Sequence, residues 1–240
     1  MISDRVQIWQ PPAIRGLELL RATYIRQRFP RHAHQRFAVG VIEAGALGFY
    51  YRGENVVAPA GAINLANPDE PHTGHAASQQ GWSYRMFYFD VDHLRDAMVQ
   101  MADRPCAVPR FAAGVLHDDD LADQIRRLHH DLAQDNGTRL EVQSRFMAML
   151  VALIQRHADT RPHQRPIGRE HRAVARVREY IHSHYADDIS IDRLASIACL
   201  SPYYVMRVFT RHVGLPPHTY LIQTRVRQAR AMLNAGQRPA

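Results

Sequence analysis

Short apolar runs broken by Gly, Pro and Asn fill the first third of the chain, at residues 37–42, 47–51, 55–59, 62–65 and 82–89. Runs of this length and spacing predict short antiparallel strands of a sandwich or barrel. Residues 84–89, Tyr-Arg-Met-Phe-Tyr-Phe, are apolar almost throughout, which predicts a central strand. The period then changes. Asp118-Asp119-Asp120 precedes Leu121, Ile125, Leu128 and Leu132, an apolar stripe at helical spacing behind an acidic N-terminus. Asn136-Gly137 interrupts it, and Val142, Phe146, Met149, Leu150 and Leu153 form the face of a second helix. Two such helices across a short break predict an antiparallel hairpin. Residues 159–170 are polar, with Pro162, Pro166 and Gly168, and read as a linker.

From His171 the helical period returns, with Val174, Val177, Ile181 and Tyr185 on one face. Two helix starts follow with the same chemistry. Ser190 is placed to cap the first, with Ile189 and Leu194 at the positions of a hydrophobic staple. Ser201 caps the second, with Pro202 at its first position and Leu200 and Val205 as the staple. Gly214 ends it. Two short helices joined by a tight turn are the helix-turn-helix arrangement. Val205, Val208 and Phe209 point into the pair, while Tyr203, Met206, Arg207 and Thr210 point away from it. An ordinary helical hairpin with a solvated arginine face has the same pattern.

Charge alone leaves these readings nearly level, since an Arg-rich third is also a solubilising surface or the mark of a GC-rich genome. The chain carries a net +7, and all 30 of its basic residues are Arg. Residues 161–240 hold 13 Arg against 5 acids, so +8, while residues 1–160 hold 17 Arg against 18 acids, so −1. A basic excess confined to the helical third is expected of a segment that meets a polyanion. Arg207 could then bond bidentately to guanine, with Tyr203 and Met206 making apolar base contacts. Arg193, Thr210 and Arg211 are placed for phosphates, which position without specifying. No apolar run approaches a membrane span, the N-terminus lacks a secretory pattern, and Cys106 and Cys199 lie far apart, so a reducing, cytoplasmic setting is expected.

Leu194-Ala195, Ala198, Leu200-Ser201-Pro202-Tyr203, Arg207-Val208-Phe209, Val213-Gly214 and Tyr220-Leu221, followed by Arg225, Arg230-Ala231 and Leu233, resemble the first half of an AraC-type DNA-binding domain. The resemblance implies base-facing positions for Tyr203, Met206 and Arg207, and a long connecting helix over 217–234. It also implies a second helix-turn-helix; the expectation for this sequence is the first alone, with sequence discrimination correspondingly reduced. Cys199 stands where family members often have Gly in the turn, and would be strained there if φ is positive.

The β-rich half resembles the cupin-like sensor domains of such regulators, through Gly45, Pro59-Ala60-Gly61 and the run Asn67-Pro68-Asp69-Glu70-Pro71-His72. Metal-binding cupins carry a His-x-His pair, a Glu shortly after and a third His. His32 and His34 supply the pair, expected on one face of a strand, and His72 the third, but Ala38 or Val39 stands where the Glu would be. Three His could bind Zn or Fe, or only line a polar pocket together with Arg85, Tyr50 and Trp82. The fold expected is α+β in two domains: a cupin-like antiparallel β-barrel over 1–117, a helical hairpin for dimerisation over 118–158, the linker over 159–170 and an all-α helix-turn-helix domain over 171–240. The function expected is a non-enzymatic, ligand-responsive transcription regulator, a homodimer that binds promoter DNA and a small polar effector such as an amino acid or another carboxylate. The rival is a metal-dependent, three-His cupin enzyme with an appended helical domain. A third reading has the chain act by forming mixed dimers.

Overall fold

The computed structural model describes residues 4–163, 166–168 and 170–234. Parts of the predicted linker (164, 165 and 169) and the C-terminal stretch 235–240 lie outside the described residues.

Eight strands come first: β1 (Arg5–Trp9), β2 (Leu17–Tyr24), β3 (Arg28–His32), β4 (Phe37–Tyr51), β5 (Glu54–Pro59), β6 (Ile63–Ala66), β7 (His72–Ala76) and β8 (Trp82–Phe89). Helix α1 (Val91–Ala102), the short β9 (Val115–Leu116), α2 (Asp119–Ala133) and α3 (Arg139–His157) follow, then α4 (His171–Ser183), α5 (Ile191–Ala198), α6 (Pro202–Val213) and α7 (Pro217–Asn234). Strands on one layer run in the order β1-β2-β8-β4-β6-β9, and β3, β7 and β5 join through β4 on the other. Every pairing is antiparallel. β8 lies between β2 and β4, the central position its apolar sequence predicts.

β4 is one bent strand where the pattern predicts two. Its register shifts between Ile42 and Ala44, and Gly45 takes φ +70 where any β-carbon would stand 2.0 Å from the Gly81 carbonyl oxygen. Glu43-Ala44-Gly45 therefore bends the strand as a bulge instead of ending it. The first half of β4 pairs with β6 and β8, the second with β5 and β7, so this single strand closes the barrel.

Alternation along β8 divides its side chains between two cores. Trp82, Tyr84 and Met86 face the barrel interior with Ala38, Leu47, Phe49 and Ala66. Phe87 and Phe89 face the helices, where they meet Leu94 and Met98 of α1, Leu121 and Ile125 of α2, and Phe146 of α3. Helix α1 has no counterpart in the sequence reading, although Leu94, Ala97, Met98 and Met101 are its buried face and recur at helical spacing. The predicted hairpin is present as α2 and α3, capped by Asp118 and Thr138. Its apolar stripes are spent within the chain, on the barrel and on α1.

The helices α4 to α7 have their own core, built on Val177, Ile181, Leu194, Val208, Phe209 and Leu221. Ser190 and Ser201 accept the backbone N–H groups of Arg193 and Tyr204, as capping predicts, and Pro202 opens α6. The end of the linker docks on α6: Gly168 N–H donates to Tyr204 Oη, which donates to the Pro166 carbonyl. Both cysteines are free. Among the described residues no helix is long and apolar enough to cross a membrane.

Candidate ligand cavity and DNA-reading helix

The barrel encloses a cavity of about 150 Å³. Its walls are the inward residues of β2, β4, β6 and β8, and its mouth carries His32, His34 and His72. The three rings cluster: the centroids of His32 and His34 lie 4.5 and 4.9 Å from that of His72, and 6.3 Å from each other. His34 follows the end of β3 and does not share a strand with His32, contrary to the expected i, i+2 arrangement; the turn at residues 33–36 brings its ring back to the cluster. Each Nδ1 sits against a backbone carbonyl, His32 on Pro30 at 2.8 Å, His34 on Arg36 at 2.7 Å and His72 on Glu70 at 2.9 Å. Carbonyls only accept, so each Nδ1 carries the proton and each Nε2 is left as the free ring nitrogen. Burial lowers the proton affinity of His34 and His72, so both rings are neutral near pH 7. The residues do not fit a metal centre as they stand: among the described residues no three His, Cys, Asp or Glu side chains are placed to hold one ion.

Two buried polar atoms on the cavity wall have no partner, Trp82 Nε1 and Asn64 Oδ1. One donor and one acceptor are therefore left over where protein interiors leave few. Tyr84 and Tyr88 stay protonated, since burial pushes Tyr84 well above its ordinary range and Tyr88 up to about 12. These two atoms and the tyrosines have no sequence signature beyond strand alternation.

Arg85 and Tyr50, expected in the pocket, lie outside it. Arg85 alternates with Tyr84 and Met86, so it points to α2. There its Nε donates to Glu43 Oε2 at 3.0 Å, and its guanidinium lies 3.5 Å from His129 Nδ1. Tyr50 alternates with the inward Phe49 and Tyr51 and carries the Arg31 guanidinium over its outer face, 5.2 Å from the ring centre. Trp82 is in the wall as expected.

In the helix pair, Cys199 closes α5 in the left-handed conformation, φ 55 and ψ 42, the strained geometry its position predicts. Arg193, Thr210 and Arg211 remain on the surface or half-exposed. Arg193 stacks on Tyr180, 5.1 Å from its ring centre. Tyr203 is not solvent-facing: it is 6% exposed and packs into the core of the barrel's outer face, α1 and α3. Its N–H donates to Gln100 Oε1 on α1 at 2.9 Å. Met206 touches both cores, and Arg207 is half-buried with its guanidinium over Tyr203. These residues do point away from the helix pair. The N-terminal half approaches from that side and covers them.

The model of the AraC-like ligand binding domain family matches residues 15–150. An uncharacterized HTH-type transcriptional regulator of Bacillus subtilis, YbfI, is 25% identical over 223 residues, 93% of this chain and 80% of that protein. Among solved structures, a Cupin 2 conserved barrel domain protein from Salinispora arenicola aligns at 16% identity over 36% of this chain and 76% of its own, with a TM-score of 0.32. KdgF from Halomonas sp. aligns at 17% identity over 36% and 78%, with a TM-score of 0.31.

Proposed function

The chain belongs to the AraC-like ligand-binding family, and from that premise we propose that it is a cytoplasmic transcription regulator in which the barrel senses a small molecule and α6 reads promoter DNA. One juxtaposition carries the reading. The outer face of β8, whose inner face walls a cavity with unpartnered polar atoms, and the start of a capped helix-turn-helix in the basic third of the chain pack into one core with α1 and α3. Phe87 and Phe89, on the outer face of the cavity's wall strand, stack edge-on or tilted against Phe146 of α3, and Tyr203 joins the same core. A change in the barrel wall thus reaches α6 through packed side chains. An effector shifts the balance only by binding one arrangement of α6 more tightly than the other.

An amino acid or another carboxylate was one expected effector, and such an anion needs a cation in the cavity. With Arg85 outside and His34 and His72 neutral, the cavity favours a neutral polar molecule that accepts from Trp82 Nε1 and donates to Asn64 Oδ1. DNA reading by Tyr203, Met206 and Arg207 requires α6 to leave α1, with Arg193, Thr210 and Arg211 then free to meet phosphates. Assembly as a homodimer through 118–158 belongs to the same proposal and is checked by light scattering.

The test is binding of duplex DNA flanking the gene, read by fluorescence anisotropy across salt concentrations. Affinity is expected to fall linearly on a log–log plot and to drop further in Arg207→Ala. Binding indifferent to salt and to that substitution would count against the reading. The rival, a metal-dependent cupin enzyme, needs the three histidines to move onto one ion. It predicts stoichiometric Zn or Fe in the purified protein, lost in His34→Ala, together with turnover.

A further inference from the structure

A second cavity, of about 560 Å³, lies between α3, α6 and the start of α7. It is far roomier than the barrel cavity and falls within the range of roughly 300–1,000 Å³ typical of small-molecule sites. Its floor is apolar: Ala148, Val151 and Ala152 from α3, Ile167 from the linker, Met206 from α6 and Pro216 before α7. Its charged lining is of one sign, Arg145 and Arg156 from α3 and Arg207 and Arg211 from α6, with no Asp or Glu among the described residues.

The arginines are not equivalent. Arg145 is held by Asp131 at 2.5 Å and Arg156 by Asp118 at 2.9 Å, so their charge is largely answered. Arg211 is exposed and, among the described residues, forms no ion pair. Two further groups on the lining are left over. Ser144, 3% exposed, has an Oγ with no hydrogen-bond partner, and His218 Nδ1 is buried and likewise unpartnered. A buried hydroxyl without a partner is uncommon in an interior, and both atoms line the same space.

We infer that this cavity is a ligand site distinct from the barrel, and that it takes an amphipathic organic anion. The apolar body lies over Ala148, Val151, Ala152 and Met206. The anionic group meets Arg211 and the outer edge of Arg207, and Ser144 and His218 supply the remaining hydrogen bonds. Such a ligand touches α3 and α6 at once. It holds α6 in the arrangement in which Tyr203 is covered, and so opposes DNA binding. That coupling rests on the DNA-reading role proposed above; the ligand site does not.

The experiment is calorimetric titration of the full chain with 2-naphthoate as probe and neutral 2-naphthamide as control. Saturable binding is expected at one site, with the amide at least about tenfold weaker, since a charge-assisted contact is lost. Arg211→Ala, an exposed change that leaves the core alone, is expected to weaken naphthoate about tenfold. Ala148→Trp, at an exposed helical position, should fill the cavity and remove binding while circular dichroism stays unchanged. Ala38→Leu, which narrows the barrel cavity, should leave binding as it was. Absence of saturable binding at millimolar naphthoate, equal affinity for the amide, or loss in Ala38→Leu with retention in Ala148→Trp overturns the site. Naphthoate binding that persists while DNA affinity stays unchanged overturns the coupling and leaves the site. DNA binding that is absent throughout refutes the DNA reading instead.

Discussion

His129 is fully buried at the meeting of α2, β2 and β8, its Nε2 on the Leu20 carbonyl at 3.2 Å and Arg85 on its other side. Burial, and then the neighbouring arginine, lower its pKa from the ordinary 6.5 to about 4. The unfolded chain binds a proton there between about pH 4 and 6.5 and the folded chain does not, so stability falls as pH is lowered through that window. At ~1.4 kcal/mol per pH unit, the loss approaches about 3 kcal/mol. Urea unfolding at pH 4.5 and 7 should show it, and His129→Gln should flatten the profile; an unchanged slope would acquit the imidazole. His34 and His72 act in the same direction, so some slope remains. Asn67 is the opposite case, a buried side chain with its bonds complete: Nδ2 donates to Tyr51 Oη at 2.6 Å and to the Phe111 carbonyl at 2.8 Å, and Oδ1 accepts Phe111 N–H at 3.1 Å. Asn67→Ala removes three buried hydrogen bonds, leaves the Phe111 N–H without its acceptor, and should cost about 3 kcal/mol in the same assay. Asn67 was legible as a turn residue. That it ties the loop at Phe111 to β4 was not, because both partners are distant in sequence.

The helix pair was the most readable element, since caps and staples act within five residues of one another. Ser201→Ala should lower stability by about 1 kcal/mol. Cys199→Gly should raise it by up to about 1 kcal/mol, because Gly adopts φ 55 without the steric cost that Cys bears. Thermal and urea melts measure both, and a destabilised Cys199→Gly protein would show that the Cys199 side chain earns its place by another contact. The strands were less legible. β4 looked like two strands because its bulge residues have the composition of a turn, and a bulge is distinguished from a turn only by the partners that continue on either side. Arg85 and Tyr50 were assigned to the pocket by residue type. Strand parity, fixed by those same partners, turns both outward.

Across the whole molecule, the N-terminal half covers the edge of α6 that the helix-turn-helix pattern assigns to DNA. Gln100 of α1 ties that edge down, its Oε1 accepting the Tyr203 N–H at the start of α6 at 2.9 Å. If α6 reads DNA after leaving α1, Gln100→Ala should raise DNA affinity, by about fivefold for a bond worth about 1 kcal/mol. Anisotropy titrations at fixed salt test this, and a lowered or unchanged affinity would mean that the contact does not restrain α6. The salt dependence itself should follow the charge division, since the basic excess lies wholly in residues 161–240.

The sequence by itself determined what short-range chemistry controls: the strand-rich first third, the helical hairpin, the capped helix-turn-helix with its strained Cys199, and the separation of charge between the two halves. It also placed the three histidines at one site, through their likeness to a known pattern. The tertiary structure alone decided which face of each strand is inside, which polar atoms are left without partners, and that Tyr203 is buried rather than presented. These depend on contacts between residues about a hundred positions apart, such as Gln100 with Tyr203. No local pattern of apolar and polar positions encodes such a pairing, because helical periodicity fixes which side a residue faces and not what will come to lie against it.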